Sequence, residues 1–289
     1  MRESLKRACA ARGLDTDTLL LCDTHSHIYP DTAPPSARAA LADYRALADD
    51  VGLRRHVVVH SKAHRDDVAS VTDAIERLGG PACARGVLWE DPQWSHDDLA
   101  RLHAAGIRGV RTLHPPGTAP DLAALQATAS KIAPLGWHLL VQAECADWAP
   151  HADALCALPC PVVLDHLGRL PPDTRPDDPT FLALLRFLRG GGWIKISAPY
   201  YGTVGGLPSF APMGWRVRAL LDAAPSRALW GLNWPHVNLR PDQRPDDVET
   251  LESLVSLFTS TAEARAVLSD NAARLYGFSD AGGSAQSAV

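Results

Sequence analysis

The sequence has no excess of basic residues, no closely spaced cysteine pair and no apolar run long enough to span a bilayer. Each absence removes a class of function. Lys and Arg number 28 against 33 Asp and Glu, a formal charge of −5, and the basic residues form no stripe. A nucleic-acid partner is therefore not expected. The six cysteines, Cys9, Cys22, Cys83, Cys145, Cys156 and Cys160, include no CxxC pair. Their spacing fits neither a zinc site nor a disulfide framework, so free thiols in a reducing cytoplasm are expected. The opening stretch MRESLKRACAARGLDTDTLLLCD carries too short an apolar run for a signal peptide or a membrane span, and reads as a short amphipathic lead-in helix. A glycine-rich phosphate loop after the first apolar run is missing too. That argues against a doubly wound open sheet, the alternative α/β fold.

What is present is an ordinary globular composition, 46% apolar and 21% charged over 289 residues. The length exceeds the roughly 250 residues of a typical eight-fold α/β barrel and is short for two domains and a linker. Short apolar runs recur eight times, at 19–22, 55–60, 82–89, 107–113, 137–143, 161–165, 193–197 and 227–232. Runs of this kind fit strands buried on both faces. Helix-like segments lie between them, at 36–51 with Ser36 as N-cap, and at 66–78, 97–105, 121–135 and 178–189. Each ends at a glycine, the expected stop signal. Strand and helix alternate as βα units, and eight such units close into a (β/α)8 TIM barrel. The domain reading is a lead-in segment 1–18, a single barrel over 19–278 and a disordered tail 279–289. Insertions at 170–179 and 198–212 follow strands six and seven, on the face where such barrels carry their sites.

Polar residues gather at the ends of three runs. The first ends in Asp23-Thr24-His25-Ser26-His27. Residues i and i+2 of a strand share a face, so His25 and His27 project together. Two imidazoles so placed can share a divalent metal or bind a polarised carbonyl. The sixth run is followed by His166 and Arg169, and the eighth by Asn233-Trp234-Pro235-His236.

Four motifs, DTHSH, VVLDHLGR, LWGLNWPHVN and DNAARLYGF, resemble the amidohydrolase-related TIM-barrel family of the amidohydrolase 2 type. Within it they are most similar to the 2-pyrone-4,6-dicarboxylate lactonase branch. The likeness runs from about Asp23 to Phe278. It implies a hydrolase that opens a lactone of a carboxylated or aromatic-like small molecule. It also implies that His25, His27 and His166 polarise the carbonyl while a carboxylate at the end of strand eight acts as general base. The family pattern there is Gly-Thr-Asp-Trp-Pro-His, whereas this chain has Gly231-Leu232-Asn233-Trp234-Pro235-His236. Asn is nearly isosteric with Asp, but it cannot accept a proton near neutral pH. Two readings stay open. Asn233 is an introduced Asp→Asn change that traps substrate and leaves much reduced activity, or it is natural and the protein is a cyclase, isomerase or binding module. A metal-dependent decarboxylase on the same barrel is a further alternative.

The resemblance implies substrate contacts from Ser61, Arg111, Arg169, His236 and Asn238. The branch carries an arginine after strand seven. Here the segment Ser197-Ala198-Pro199-Tyr200-Tyr201 has none before Arg216. Tyr200 and Tyr201 stand in its place, so a substrate less acidic or more aromatic than a pyrone dicarboxylate is expected. His60, Lys62, His64 and Arg65 offer another anion anchor, and Tyr29, Trp89, Trp94 and His114 sit at other strand ends. Metal-dependent relatives carry His or Lys at the end of strand five, where this chain has Gln142. No tightly bound metal is therefore expected, and a divalent metal such as zinc, if bound, falls to His25, His27 and His166. The partner expected is a small-molecule substrate, with no nucleic acid and no membrane, in the cytoplasm. A homo-oligomer is left open.

Overall fold

Eight short strands lie side by side in chain order, every neighbouring pair parallel. They are β1 (Cys22–Ser26), β2 (Arg55–Val59), β3 (Ala84–Trp89), β4 (Ile107–Leu113), β5 (His138–Gln142), β6 (Val162–Leu164), β7 (Trp193–Ile196) and β8 (Ala228–Trp230). This computed structural model describes residues 1–29 and 40–279. The ring is closed by bonds between the ends of β8 and β1. Thr24 Oγ1 donates to the Trp230 carbonyl at 2.7 Å, the Asn233 amide to the His25 carbonyl at 2.8 Å and the His27 amide to the Trp234 carbonyl at 2.8 Å. The predicted TIM barrel is present.

Two local boundaries differ from the sequence reading. Strand β1 begins at Cys22, where the apolar run ends, because the polar residues that follow are satisfied inside the wall. Asp23 Oδ1 accepts from the amides of His25 and Leu232, both at 2.9 Å, and its Oδ2 accepts from the Tyr44 hydroxyl at 2.9 Å. A periodicity argument has no term for such partners. The helix assigned to 36–51 starts at Leu41, and Ser36 lies outside the described residues. Gly52, at φ 81°, ends it in the left-handed region that glycine reaches without strain. Asp121 and Asp178 cap their helices through side-chain bonds to backbone amides.

The barrel interior is filled from alternate positions. Cys22, Val57, Val59, Val87, Leu140, Val163 and Leu229 form one buried cluster with Leu275, Tyr276 and Phe278. The latter belong to the helix Asn271–Tyr276 and the residues after it, which cover the N-terminal ends of the strands. Arg55 and Arg85, from the starts of β2 and β3, stack on the Phe278 ring at 5.2 and 4.8 Å. Arg55 also donates to the Ser279 carbonyl at 2.7 Å, and the rest of the expected tail, 280–289, lies outside the described residues. The lead-in forms the helix Glu3–Ala10, which buries Leu5 and Cys9 and packs on the helix Asp247–Val255. All six cysteines are free. Among the described residues no helix is long and apolar enough to cross a membrane.

Candidate active site

With the N-terminal face covered, the opposite mouth carries the polar residues. A cavity of about 560 Å³ opens there, a size suited to a small molecule. His27 from β1, Ser61 and Lys62 after β2, Arg111 from β4 and Gln142 from β5 line it. His166, Tyr201, Asn233 and Asn238, from the loops after β6, β7 and β8, join this lining, as does Tyr29 after β1. The backbone of these three loops is bent to place them. Every non-glycine with positive φ among the described residues lies there: His166, Leu167, Arg169, Ala198, Asn233 and His236, at φ 46° to 67°. Conformations of this kind cost about 1–3 kcal/mol each for most side chains and cluster at functional sites. Asn pays less than most residues there, since it tolerates the left-handed region.

Hydrogen-bond partners fix where the ring protons lie. His27 Nδ1 is 2.7 Å from the Val59 carbonyl, which can only accept, so Nδ1 carries the proton and Nε2 is bare. His25 Nδ1 is 3.1 Å from Asp165 Oδ1. Burial alone would push the Asp165 carboxyl up, but the groups it faces, the Lys195 ammonium and the His25 N–H among them, outweigh it and hold it well below the usual carboxylate range. An ionised Asp165 puts the His25 proton on Nδ1 as well. Burial holds the imidazoles neutral: His27 is pushed down to about 3, His166 to about 4, and His25 well below its ordinary value. The bare Nε2 atoms of His25 and His27 then face each other at 3.4 Å.

Two lone pairs at that separation call for a cation between them. Two imidazole nitrogens at roughly 2.0–2.1 Å from a tetrahedral ion stand about 3.4 Å apart. The His25 Nδ1–Asp165 and His27 Nδ1–Val59 bonds are the outer contacts that orient metal-bound histidines. His25, Asp165 and His166 also bring ligand atoms within 4.8 Å of one another, and Asp165 Oδ2, 3.7 Å from His166 Nε2, is buried with no hydrogen-bond partner among the described residues. The donor set fits a divalent cation. The charge set is less favourable to it, because one carboxylate, Asp165, faces two cations. Lys195 donates from Nζ to the Thr24 carbonyl at 2.7 Å and lies 3.4 Å from His25 Nδ1. Burial pushes its ammonium down to about 8, while Asp165 pulls it back up. Arg111 is the other cation, also fully within the site.

Arg111 is held for anion binding. Its Nη1 donates to the His60 carbonyl at 2.9 Å and its Nη2 to Gln142 Oε1 at 2.8 Å, while Nε is buried without a partner. The Trp89 ring lies 4.9 Å beneath the guanidinium. Among the described residues no carboxylate lines the cavity.

The sequence-derived residues thus divide into two groups. His27, His166, Asn233, Ser61, Arg111, Tyr201 and Asn238 line the cavity. His25 sits behind His27, and Tyr200 and His236 are buried behind Asn233. Arg169 is turned away: it pairs with Glu144 at 2.7 Å and stacks on the Tyr201 ring at 4.1 Å. Of His60, Lys62, His64 and Arg65, only Lys62 reaches the cavity wall. Arg216 binds the carbonyls of Pro171, Gly202 and Thr174 and is not an anion anchor. Asp165, Lys195 and Asp247 were not among the expected site residues. A lysine between Ile194 and Ile196 was a readable signal for Lys195. Asp247 gave none, since it approaches His236 only through the fold.

An amidohydrolase family model matches residues 22–278. The 2-pyrone-4,6-dicarboxylate hydrolase of Comamonas testosteroni is 32% identical over 88% of this chain and 89% of its own. The D-galactarolactone isomerase of Agrobacterium fabrum is 29% identical over 84% of this chain and 83% of its own. An Agrobacterium tumefaciens protein solved in its apo form superposes with a TM-score of 0.79 at 27% identity, over 90% of this chain and 97% of that one. Barrel, motifs and family model agree over the same stretch of sequence, and the chain belongs to the amidohydrolase family.

Proposed function

We propose that the chain acts on a lactone that carries a carboxylate, and that the reaction is ring opening by water. The observation that carries this reading is the cavity itself. His27, His166 and Asn233 face one space that also holds Arg111 and Lys62 and, among the described residues, no acidic group. The names of the relatives, a pyrone dicarboxylate hydrolase and a galactarolactone isomerase, supply the lactone.

Arg111 pairs with the substrate carboxylate, since a guanidinium with an unsatisfied buried N–H gains most from an anion. Ser61 and Asn238 border the same space. His166 has its Nδ1 taken by Ser197 Oγ at 2.9 Å, and its Nε2, 3.7 Å from Asp165 Oδ2, is the atom that donates to the lactone carbonyl oxygen. A divalent cation, when held by His25 and His27, would polarise the same carbonyl and acidify water. The water oxygen bonds to the carbonyl carbon and gives up a proton, the ring C–O bond breaks, and the ring oxygen takes up the proton that the water released. Asn233 can hold that water but cannot take its proton. No other described residue lining the cavity supplies a carboxylate base.

The test is lactone hydrolysis by the chain and by Asn233→Asp. The variant is expected to gain on the order of a hundredfold or more in kcat, the scale of general-base catalysis. No hydrolysis by either form across a panel of anionic lactones overturns the reading. Asn233 itself favours one second reading, isomerisation without water. In that case the unsubstituted chain converts its lactone to an isomer with the ring retained, and Asn233→Asp gives no gain.

A further inference from the structure

Behind Asn233 runs a hydrogen-bonded chain that the proposed hydrolysis leaves unused. Asn233 Nδ2 donates to the Tyr200 hydroxyl at 2.6 Å. Tyr200 Oη lies 3.1 Å from His236 Nδ1, and His236 Nε2 lies 3.1 Å from Asp247 Oδ1. All four residues are buried, at 3, 6, 3 and 8% exposure in that order. They come from three places: the end of β8, the loop after β7, and the first turn of the helix Asp247–Val255.

We propose that Tyr200, His236 and Asp247 are positioning residues that set the polarity of the group at 233 and turn the Asn233 carbonyl oxygen into the cavity. The reading rests on the lactone activity proposed above for its use, though not for its geometry. The direction of the chain follows from its far end. Asp247 can only accept, so His236 carries a proton on Nε2. The proposed relay has that one ring proton, so that Nδ1 accepts from the Tyr200 hydroxyl. The Tyr200 oxygen is then free to accept from the Asn233 amide. The NH2 edge of Asn233 is committed inward, and the carbonyl edge is left for the cavity that Asn233 lines. Burial pushes the Tyr200 phenol well above its ordinary range, which keeps the hydroxyl proton in the chain. The reversed chain, with the Asn233 carbonyl turned inward, would need protons on both ring nitrogens of His236.

The outcome is a fixed acceptor at the mouth of the barrel. An acceptor there holds a water or a substrate hydroxyl by its hydrogen, whereas the NH2 edge would hold it by its oxygen. A free amide in the same place would present both edges in turn.

Two measurements test this. In the first, the full chain labelled with 15N at histidine is examined by long-range 1H–15N correlation, with His236 assigned by its loss in His236→Gln. Expected is a proton on Nε2 with Nδ1 as an acceptor. A proton on Nδ1 overturns the proposal. In the second, turnover of 2-pyrone-4,6-dicarboxylate is measured for Asp247→Asn and Asp247→Leu in the Asn233→Asp-free chain, with melting curves to confirm folding. Asp247→Asn keeps an acceptor for Nε2–H and is expected to keep kcat within about threefold. Asp247→Leu releases the ring and is expected to lose on the order of tenfold or more in kcat with KM little changed. Equal kcat in the two variants overturns the proposal. If that probe is not turned over at all, the lactone reading fails on it, and the spectra alone decide the relay.

Discussion

Lowering the pH from 7.5 to 5 should destabilise the barrel through its floor, and His138 is the residue to watch. It sits at the start of β5 inside the ring, fully buried, with Nδ1 donating to the Arg108 carbonyl at 2.8 Å. Its Nε2 has no partner, and the Tyr276 ring packs edge-on at 5.1 Å. Burial, reinforced by the Lys195 charge, pushes its imidazole down to about 3. The folded value lies below the unfolded one, near 6.5. As pH falls the unfolded chain therefore takes up this proton first. The stability tied to His138 is complete above about pH 6.5 and drains away between there and about pH 3. At pH 5 the unfolded imidazole is protonated about 30 to 1 and the folded one hardly at all, a loss of about 2 kcal/mol. At pH 4 it is about 3 kcal/mol, a large part of the 5–15 kcal/mol that holds a typical domain. Other buried histidines add to the total, so a difference isolates the one. Urea unfolding followed by tryptophan fluorescence, at pH 7.5 and 5, is compared for the chain and for His138→Gln, which can still donate to the Arg108 carbonyl. The variant should lose about 2 kcal/mol less than its parent over that interval. Equal losses would refute the argument.

Two further expectations concern the mouth. Arg111→Leu should raise KM for a carboxylated lactone by about 10- to 100-fold, the worth of a charge-assisted hydrogen bond, with kcat much less affected; an unchanged KM would remove Arg111 as the anion anchor. Added zinc should raise the melting temperature of the chain by a few degrees and leave His27→Ala unmoved, since an ion bound only by the folded form stabilises it. An equal rise in both would place the ion elsewhere.

The architecture was legible because parallel strands buried on both faces write themselves as apolar runs, and all eight runs fell on or beside a strand. The first was displaced because Asp23, Thr24 and His25 are buried through specific partners, Leu232, Tyr44 and Asp165 among them, that no local pattern encodes. The site followed the same division. His27, His166 and Asn233 could be placed at the mouth because they follow the ends of runs. Arg169 was a fair candidate on the same grounds, but its side chain is claimed by Glu144, a partner 25 positions away. Lys195 was hidden in plain sight within Trp193–Ile196, where apolar neighbours made it look like part of the wall. Asp247 was out of reach, for its role depends on where one helix happens to dock. Charge at the site was legible in kind but not in arrangement: the missing arginine after β7 was visible, whereas the use of Arg216 to tie loop carbonyls together was not.

The ring is stitched shut at residues that also face the substrate. The Asn233 amide holds the His25 carbonyl, and the His27 amide holds that of Trp234. Position 25 therefore meets position 233 only after nearly the whole chain has been threaded around, the slowest kind of contact to form. A molecule lacking its eighth strand keeps His25, His27 and His166 in its sequence but loses Asn233 and the bonds that close the ring beside them. Turnover thus doubles as a report on completion, and a folding defect anywhere along the circle should silence the enzyme before it visibly unravels.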